Sequence, residues 1–278
     1  MTITRRSLFT SLLSAGASAA AYAKYVEPTW FEVTRTRVPF PMPRGRTMRV
    51  LHLSDFHASD GLPVETIEIA VAAGLEQKPD LICLTGDYVS NTVGFDETGL
   101  RRMLGRLAAA APCYAVMGNH DGGEWLQNHG GDGTSGFIRR IVAGSGVDVL
   151  HNRSAVVDVR GQRVQLAGVG DRWSDELDAG AAFAGQDPAL PTIVLCHNPD
   201  GKEEFARQRW QLMLSGHTHG GQVVAPLVTP LWAPVKDKRF ISGLYDWNGR
   251  KLFITRGVGS PKRLRFSCRP EVSLLLLG

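Results

Sequence analysis

Asp80-Leu81-Ile82-Cys83-Leu84-Thr85-Gly86-Asp87 is an unbroken apolar run that stops on Gly-Asp. A run of that length reads as a buried strand. The same design lies on both sides of it. Upstream, Arg46 to Ser54 carries Met48, Val50, Leu51 and Leu53 into Asp55-Phe56-His57, and Pro63 to Gln77 follows as a helix with Ile67, Val71 and Leu75 on one face. Pro63 sits near its first turn, where a missing N–H costs nothing. Downstream, a helix over Glu97 to Ala110 leads into a strand over Pro112 to Met117, which ends in Gly118-Asn119-His120-Asp121. Strand and helix in series predict an α/β chain with a mostly parallel sheet and crossover connections. Ligands of such sheets bind outside the carboxyl ends of the strands, and each strand here delivers metal-competent residues at that end.

The pattern continues toward the C-terminus. Gly122 to Gly136 is a glycine-rich loop, Ile138 to Ala143 a short helix, and Val147 to Leu150 a short edge strand. Arg153 to Val159 and Arg163 to Val169 alternate as a hairpin turning at Gly161-Gln162. A helix over Ala179 to Ala184 precedes the strand Thr192 to Cys196, which ends in His197-Asn198-Pro199. Leu212 to Ser215 then ends in Gly216-His217-Thr218-His219-Gly220-Gly221, where the glycines permit tight backbone close to a ligand. Phe240 to Asp246, Lys251 to Thr255 and Glu271 to Leu277 read as antiparallel strands. Tyr25 to Pro43 shows no clear periodicity. Residues 47–278 therefore read as one catalytic domain behind a lead-in at 24–46.

The chain has 278 residues, 43% of them hydrophobic, enough for a large α/β core. A net charge of +4 excludes bulk polyanion binding, so no specific nucleic-acid partner is expected. Charge is nevertheless uneven. Arg250, Lys251, Arg256, Lys262, Arg263, Arg265 and Arg269 fall between Trp247 and Pro270 with no acidic residue among them. That stretch reads either as a solvated face or as a contact for phosphate or anionic lipid. Cys83, Cys113, Cys196 and Cys268 lack CxxC spacing and read as small buried residues, with a Cys83–Cys113 pairing left open. Residues 1–23 fit an export signal ending at Ala21-Tyr22-Ala23. Arg5-Arg6 before Leu8-Phe9 looks like the twin-arginine type, which carries proteins already folded. A membrane span needs about 20 strongly apolar residues, and this run is shorter and rich in Ala, Ser and Gly. The expected location is the periplasm or cell envelope, with a retained membrane anchor as the alternative.

The candidate ligands are Asp55, His57, Asp87, Asn119, His197, His217 and His219. These N/O donors at five strand ends exceed what one metal requires. They suit two divalent ions about 3.5–4 Å apart sharing a carboxylate, and Asp87, between the other segments, is the natural bridge. The donor set excludes soft-metal chemistry and leaves Mn, Fe, Zn, Co and Ni open. Each residue has a plainer reading, as a helix cap, a loop ion pair or a core histidine. Those readings would have to hold at every strand end at once. Outside this set, His52 reads as structural, His151 as surface, and His129 as a loop residue able to face substrate.

Asp55-x-His57, Gly86-Asp87, Gly118-Asn119-His120-Asp121, His197 and Gly216-His217-Thr218-His219, in that order, resemble the calcineurin-like metallophosphoesterases across nearly all of residues 47–278. Glu27-Pro28-Thr29-Trp30-Phe31, His197-Asn198-Pro199-Asp200, Asp237-Lys238-Arg239 and Cys268-Arg269-Pro270-Glu271-Val272 resemble its bacterial exported phosphodiesterase branch, of the YaeI type. The resemblance implies two mixed β-sheets packed face to face as a sandwich with helices outside, the αββα arrangement. It implies one metal on Asp55, His57, Asp87 and His219, and a second that shares Asp87 and takes Asn119, His197 and His217. A hydroxide bridging the ions would attack phosphorus in line. His120 would protonate the leaving alkoxide, a contribution of roughly 10²–10⁴-fold, with Asp121 orienting its ring.

The expected function is therefore a binuclear metal-dependent phosphoesterase, in the first place a phosphodiesterase, acting on a phosphate ester that a lipid could carry. One alternative is a UDP-2,3-diacylglucosamine pyrophosphatase of lipid A synthesis, working at a membrane surface. Its substrate is cytosolic, whereas Arg5-Arg6 points outward. The other alternative is a metal-binding scaffold without chemistry, for which His120 and the full ligand set would be superfluous. Substrate choice would lie in the loops Gly122 to Gly136 and Val224 to Lys238. The sequence carries no sign of oligomeric state.

Overall fold

The computed structural model describes residues 5–224, 230 and 233–278. Alternation inside the apolar strands decides the layering. The strands of the first sheet are β1 (Glu32–Val38), β2 (Met48–Leu53), β3 (Leu81–Thr85), β4 (Cys113–Val116), β5 (Asp148–Val149) and β12 (Glu271–Leu277), in the order β1-β12-β2-β3-β4-β5. The second sheet holds β6 (Arg153–Val159), β7 (Gln162–Gly168), β8 (Thr192–Leu195), β9 (Leu212–Ser215), β10 (Gly243–Trp247) and β11 (Arg250–Ile254), in the order β10-β11-β9-β8-β7-β6. Val50, Leu81, Cys83, Leu275 and Leu277 of the first sheet meet Leu166, Ile193, Leu195, Leu212, Leu214 and Phe253 of the second. Their neighbours in sequence, Leu51, Leu53, Ile82 and Leu84, point the other way, under helices α2 (Val64–Leu75), α3 (Glu97–Ala110) and α5 (Gly136–Ala143). Val194 and Met213 turn outward beneath α6 (Ala179–Phe183), Phe205 and Trp210. The continuous apolar runs are thus strands buried on both faces, and the sandwich of two mixed sheets with outer helices is the observed architecture.

The core strands are parallel: β2 with β3, β3 with β4, β7 with β8, and β8 with β9. Their carboxyl ends consequently gather at one edge of the sandwich, the condition for a shared site. Helix α1 (Arg5–Ala21) runs ahead of this domain, and a short helix α4 (Glu124–Gln127) lies in the glycine-rich loop.

Four expectations need correction. The lead-in holds a strand, β1, which pairs in parallel with β12. Its sequence Glu-Val-Thr-Arg-Thr-Arg-Val is polar because an edge strand is only half covered. The C-terminal strands are not simply antiparallel. β11 is antiparallel to β10 but parallel to β9, and β12 is antiparallel to β2 but parallel to β1. β12 inserts between two strands far away in sequence, and β11 reaches back across its hairpin to β9, neither of which local pattern reveals. The β6–β7 turn falls on Arg160-Gly161, whose φ angles of 54° and 75° set the reversal one residue earlier than expected. His151 is half-buried, with Nδ1 4.0 Å from Glu176.

All four cysteines are buried and free, as small core residues. The basic stretch divides. Arg265 is fully buried, Arg256 pairs with Glu32 and Glu271, and Arg250 stacks on Trp210 at 4.6 Å. It is not a continuous basic face.

Candidate metal centre

Strands β2, β3 and β9 end by turning the chain into the left-handed region. Asp55 (φ 56°), His57 (50°), Asp87 (56°), His217 (69°) and His219 (50°) all have positive φ. Side-chain-bearing residues held there cost about 1–3 kcal/mol each, and such strain concentrates at functional sites. Two glycines make the approach of the carboxylates feasible. A Cβ on Gly118 would sit 2.2 Å from Asp87 Oδ1, and one on Gly216 would sit 2.2 Å from Asp55 Oδ2.

The turned ends converge. Asp55, His57, Asp87 and His219 offer ligand atoms all within 4.8 Å of one another, and all four are buried. Asp87 Oδ2 lies 3.4 Å from His57 Nε2 and 3.3 Å from His197 Nε2, so one oxygen touches both halves of the cluster. His217 Nδ1 is 3.2 Å from His197 Nε2, and His219 Nε2 is 3.1 Å from His57 Nε2 and 3.4 Å from Asp55 Oδ1. Asn119 Oδ1 is buried and has no hydrogen-bond partner. Six of the seven expected ligands are therefore linked by contacts, and the seventh presents an unpaired acceptor between Gly118 and His120, both of which touch Asp87.

The hydrogen bonds around the ring nitrogens test whether metals fit. His197 Nδ1–H donates to Thr85 O (2.6 Å), and His217 Nε2–H donates to Pro234 O (3.0 Å). A carbonyl can only accept, so these bonds fix the tautomers and aim lone pairs of His197 Nε2 and His217 Nδ1 at each other. Two lone pairs at that distance repel unless a cation lies between them. A proton on His197 is one such cation. Against the penalty of burial, the carboxylates of Asp87, Asp55 and Asp171 hold this imidazole well above its ordinary pKa. Burial has the opposite outcome for His57 and His219, both held well below the usual range, and for His217, pushed down to about 3. Neutral imidazole is the ligating form.

Charge points the same way. Asp55, Asp87, Asp121 and Asp171 are all at most 1% exposed. Buried carboxylates demand compensation, and the donor set of imidazole, carboxylate and amide suits divalent first-row metals.

His120 stands beside this cluster, its ring 4.7 Å from that of His57. His120 Nδ1–H donates to Ser90 O (2.8 Å), while the backbone N–H donates to Asp87 Oδ1 (2.8 Å). Nε2 is left to meet a reacting group. Asp121 does not orient this ring. Its carboxylate accepts from the amides of Asp87, Tyr88 and Gly118, each at 2.8 Å, because the turn after β4 folds the side chain back under the β3 loop. Burial, with the adjacent Asp87 charge, raises the Asp121 carboxyl above its ordinary range, and those amides oppose the rise.

Three contributors lie outside the motifs. Arg265 donates to the carbonyls of His219, Cys268, Arg256, Gly257 and Gly259, clamping the His219 turn to the 256–259 loop. That loop in turn holds Asp55, through Gly259 N–H to Asp55 O at 2.6 Å. Asp171 takes the amides of Trp173 and Ser174, and Ser90 supplies the carbonyl under His120. Only the basic stretch hinted at Arg265, and it pointed to the surface. His52, buried and 2.8 Å from Thr85 Oγ1, is structural as expected. Seven of the fifteen residues of the loop Val224 to Lys238 expected to choose substrate, namely 225–229 and 231–232, lie outside the described residues.

Comparison with known proteins bears on this geometry. Residues 48–221 match the calcineurin-like phosphoesterase family. The chain is 40% identical to the phosphodiesterase YaeI of Escherichia coli over 271 residues, covering 96% of each chain. It is 30% identical to an uncharacterised metallophosphoesterase of Bacillus subtilis, YkuE, across 95% of this chain and 93% of that one. It is also 25% identical to the UDP-2,3-diacylglucosamine pyrophosphatase LpxG of Chlamydia trachomatis, across 96% and 95% of the two. With a buried carboxylate–imidazole centre at its strand ends and these relatives over its full length, the chain belongs to the calcineurin-like phosphoesterase family and is a metal-dependent phosphoester hydrolase.

Proposed function

We propose that the protein is a phosphodiesterase that works with two divalent ions. Asp55, His57, Asp87 and His219 would hold one ion, and Asp87, Asn119, His197 and His217 the other. The observation that carries this reading is the Asp87 carboxylate oxygen shared between His57 and His197. When bound, the two ions supply Lewis acidity toward the phosphoryl group and a nucleophile at neutral pH.

The chain's own residues do the rest. His120, fixed by Ser90 O through Nδ1, carries a proton on Nε2 to the departing oxygen. Asp121 holds the Asp87 and Tyr88 amides in the turn that presents the bridging carboxylate. Arg265 keeps the His219 turn and the Asp55 loop in register. The diester reading draws on the likeness to the Escherichia coli phosphodiesterase. The pyrophosphatase reading draws on the Chlamydia relative at lower identity. Hydrolysis of bis-(p-nitrophenyl) phosphate faster than p-nitrophenyl phosphate, restored by Mn²⁺ or Zn²⁺ after chelation, is the expected result. A preference for the monoester, or cleavage confined to a UDP-sugar pyrophosphate, would overturn it.

We also propose export through Arg5-Arg6 and contact with a membrane surface. Tyr25, Val26 and Trp30 are exposed large apolar side chains, next to Lys24 and within reach of Lys262, whose carbonyl accepts from Lys24 Nζ. Aromatic and basic side chains together suit the interfacial layer. Among the described residues no helix is long and apolar enough to cross a membrane. Cleavage after Ala23 would remove a buried residue whose carbonyl accepts from Arg265 N–H at 2.9 Å. Mass spectrometry of the exported protein decides whether that bond survives.

A further inference from the structure

An aromatic chain runs out of the metal centre toward solvent. The Trp173 indole stands edge-on to His217, centroids 4.4 Å apart, and the Trp125 indole lies 4.4 Å from His120. The two indoles are near-parallel, at 28° with centroids 6.3 Å apart, and both are partly exposed. His129 stacks on Trp125 at 4.1 Å and 23°, and its Nδ1–H donates to the Trp125 carbonyl (2.6 Å).

The shelf is built, not incidental. Asp171 receives the Trp173 amide at 2.8 Å, Ser174 Oγ donates to Gly122 O at 2.7 Å, and Glu124 N–H donates to Ser174 O at 3.2 Å. Gly123 lets the loops approach this closely, since a Cβ there would lie 2.3 Å from the Ser174 Cβ. The backbone segments bearing the two indoles are thereby locked together. Nothing in the metal chemistry requires two tryptophans here. They touch the group that would serve the leaving oxygen and a ligand of the second ion, where the organic arms of a bound phosphodiester must pass.

We propose that Trp125, backed on one face by His129, and Trp173 form the subsite that stacks a planar aromatic ring, of the nucleobase type, carried by the phosphodiester substrate. This rests on the phosphodiesterase reading and names its substrate class. Indole faces stack with any base, by an amount that corresponds to roughly 5- to 150-fold in binding. A base-stacking role accounts for the aromatic walls of the site and for His129, which packs against one face of Trp125 and holds it in place.

Adenosine 5′-monophosphate and ribose 5-phosphate differ only by the base, so they test the shelf directly. As competitive inhibitors of methyl p-nitrophenyl phosphate hydrolysis, the nucleotide should act at roughly 5- to 150-fold lower concentration. Trp125→Leu and Trp173→Leu should each erode that ratio, and the Trp→Phe variants should retain most of it. Equal inhibition by both compounds, or a base advantage that survives both Leu substitutions, would overturn the proposal. If no metal restores hydrolysis of the methyl ester, the phosphodiesterase reading fails instead. Quenching of indole fluorescence by the nucleotide but not by ribose 5-phosphate would still support the shelf, and its absence would refute it.

Discussion

His197 Nε2 and His217 Nδ1 face each other across 3.2 Å because carbonyls occupy their far nitrogens, a pair that needs a cation between them. That pair, with Asp87 Oδ2 beside it, is the residue-scale reason for assigning a metal. His120 is assigned by the same kind of evidence, a tautomer fixed by Ser90 O. His120→Asn should slow hydrolysis of alkyl diesters by roughly 10²–10⁴-fold. Nitrophenyl esters should suffer much less, since a good leaving group departs without a proton. Equal losses on both would take His120 out of the acid role. Arg265 invites a second test. Arg265→Met leaves five carbonyls, four of them buried, without their donor and should cost about 1–3 kcal/mol of stability or more, read in urea denaturation, while weakening metal affinity through the His219 turn. A variant as stable as the parent would mean the clamp contributes nothing.

At the scale of elements, the strand ends are what the fold exists to present. Their left-handed residues were legible in outline, because Gly86, Gly118, Gly216 and Gly220 flank the histidines and carboxylates. Gly216→Ala should lose metal before it loses the fold, since its Cβ would press on Ser54 and Asp55. Metal content below that of the parent at unchanged helical and strand content is the expected result, and full metal content would contradict it. The parallel order of β2, β3 and β4 also showed in the sequence, because each strand is followed by its crossover helix. β1 did not show. Its polar residues match an edge, and its partner β12 lies some 240 positions later, so no local pattern reports the pairing. The Glu27 and Glu271 words, which resemble the exported branch, prove to be locks. Glu27 accepts the Ser267 and Cys268 amides, and Glu271 accepts from Thr34 and Arg256. Glu27→Ala should destabilise the domain by about 1–3 kcal/mol by leaving the buried Cys268 amide unpaired, with the diester-to-monoester ratio unchanged.

Across the whole molecule, the two sheets meet on an apolar core while four carboxylates crowd one end of it. A fold arranged this way should be more stable with its cations than without them. A ligand present at a thousand times its dissociation constant adds about 4.1 kcal/mol. Chelation should therefore lower the melting temperature by several degrees, and Mn²⁺ or Zn²⁺ should restore it. The site's ligands were legible because their chemistry is carried by residue type at strand ends. The supports were not, because Arg265, Asp171 and Ser90 act through backbone groups brought together only by folding. Metal content of the parent and of Asp87→Ala, determined by inductively coupled plasma mass spectrometry after gel filtration from metal-saturated buffer, tests the shared carboxylate most directly. Two ions per chain in the parent and fewer than one in the variant is the predicted result. Two ions retained without Asp87 would contradict the bridge and the assignment built on it.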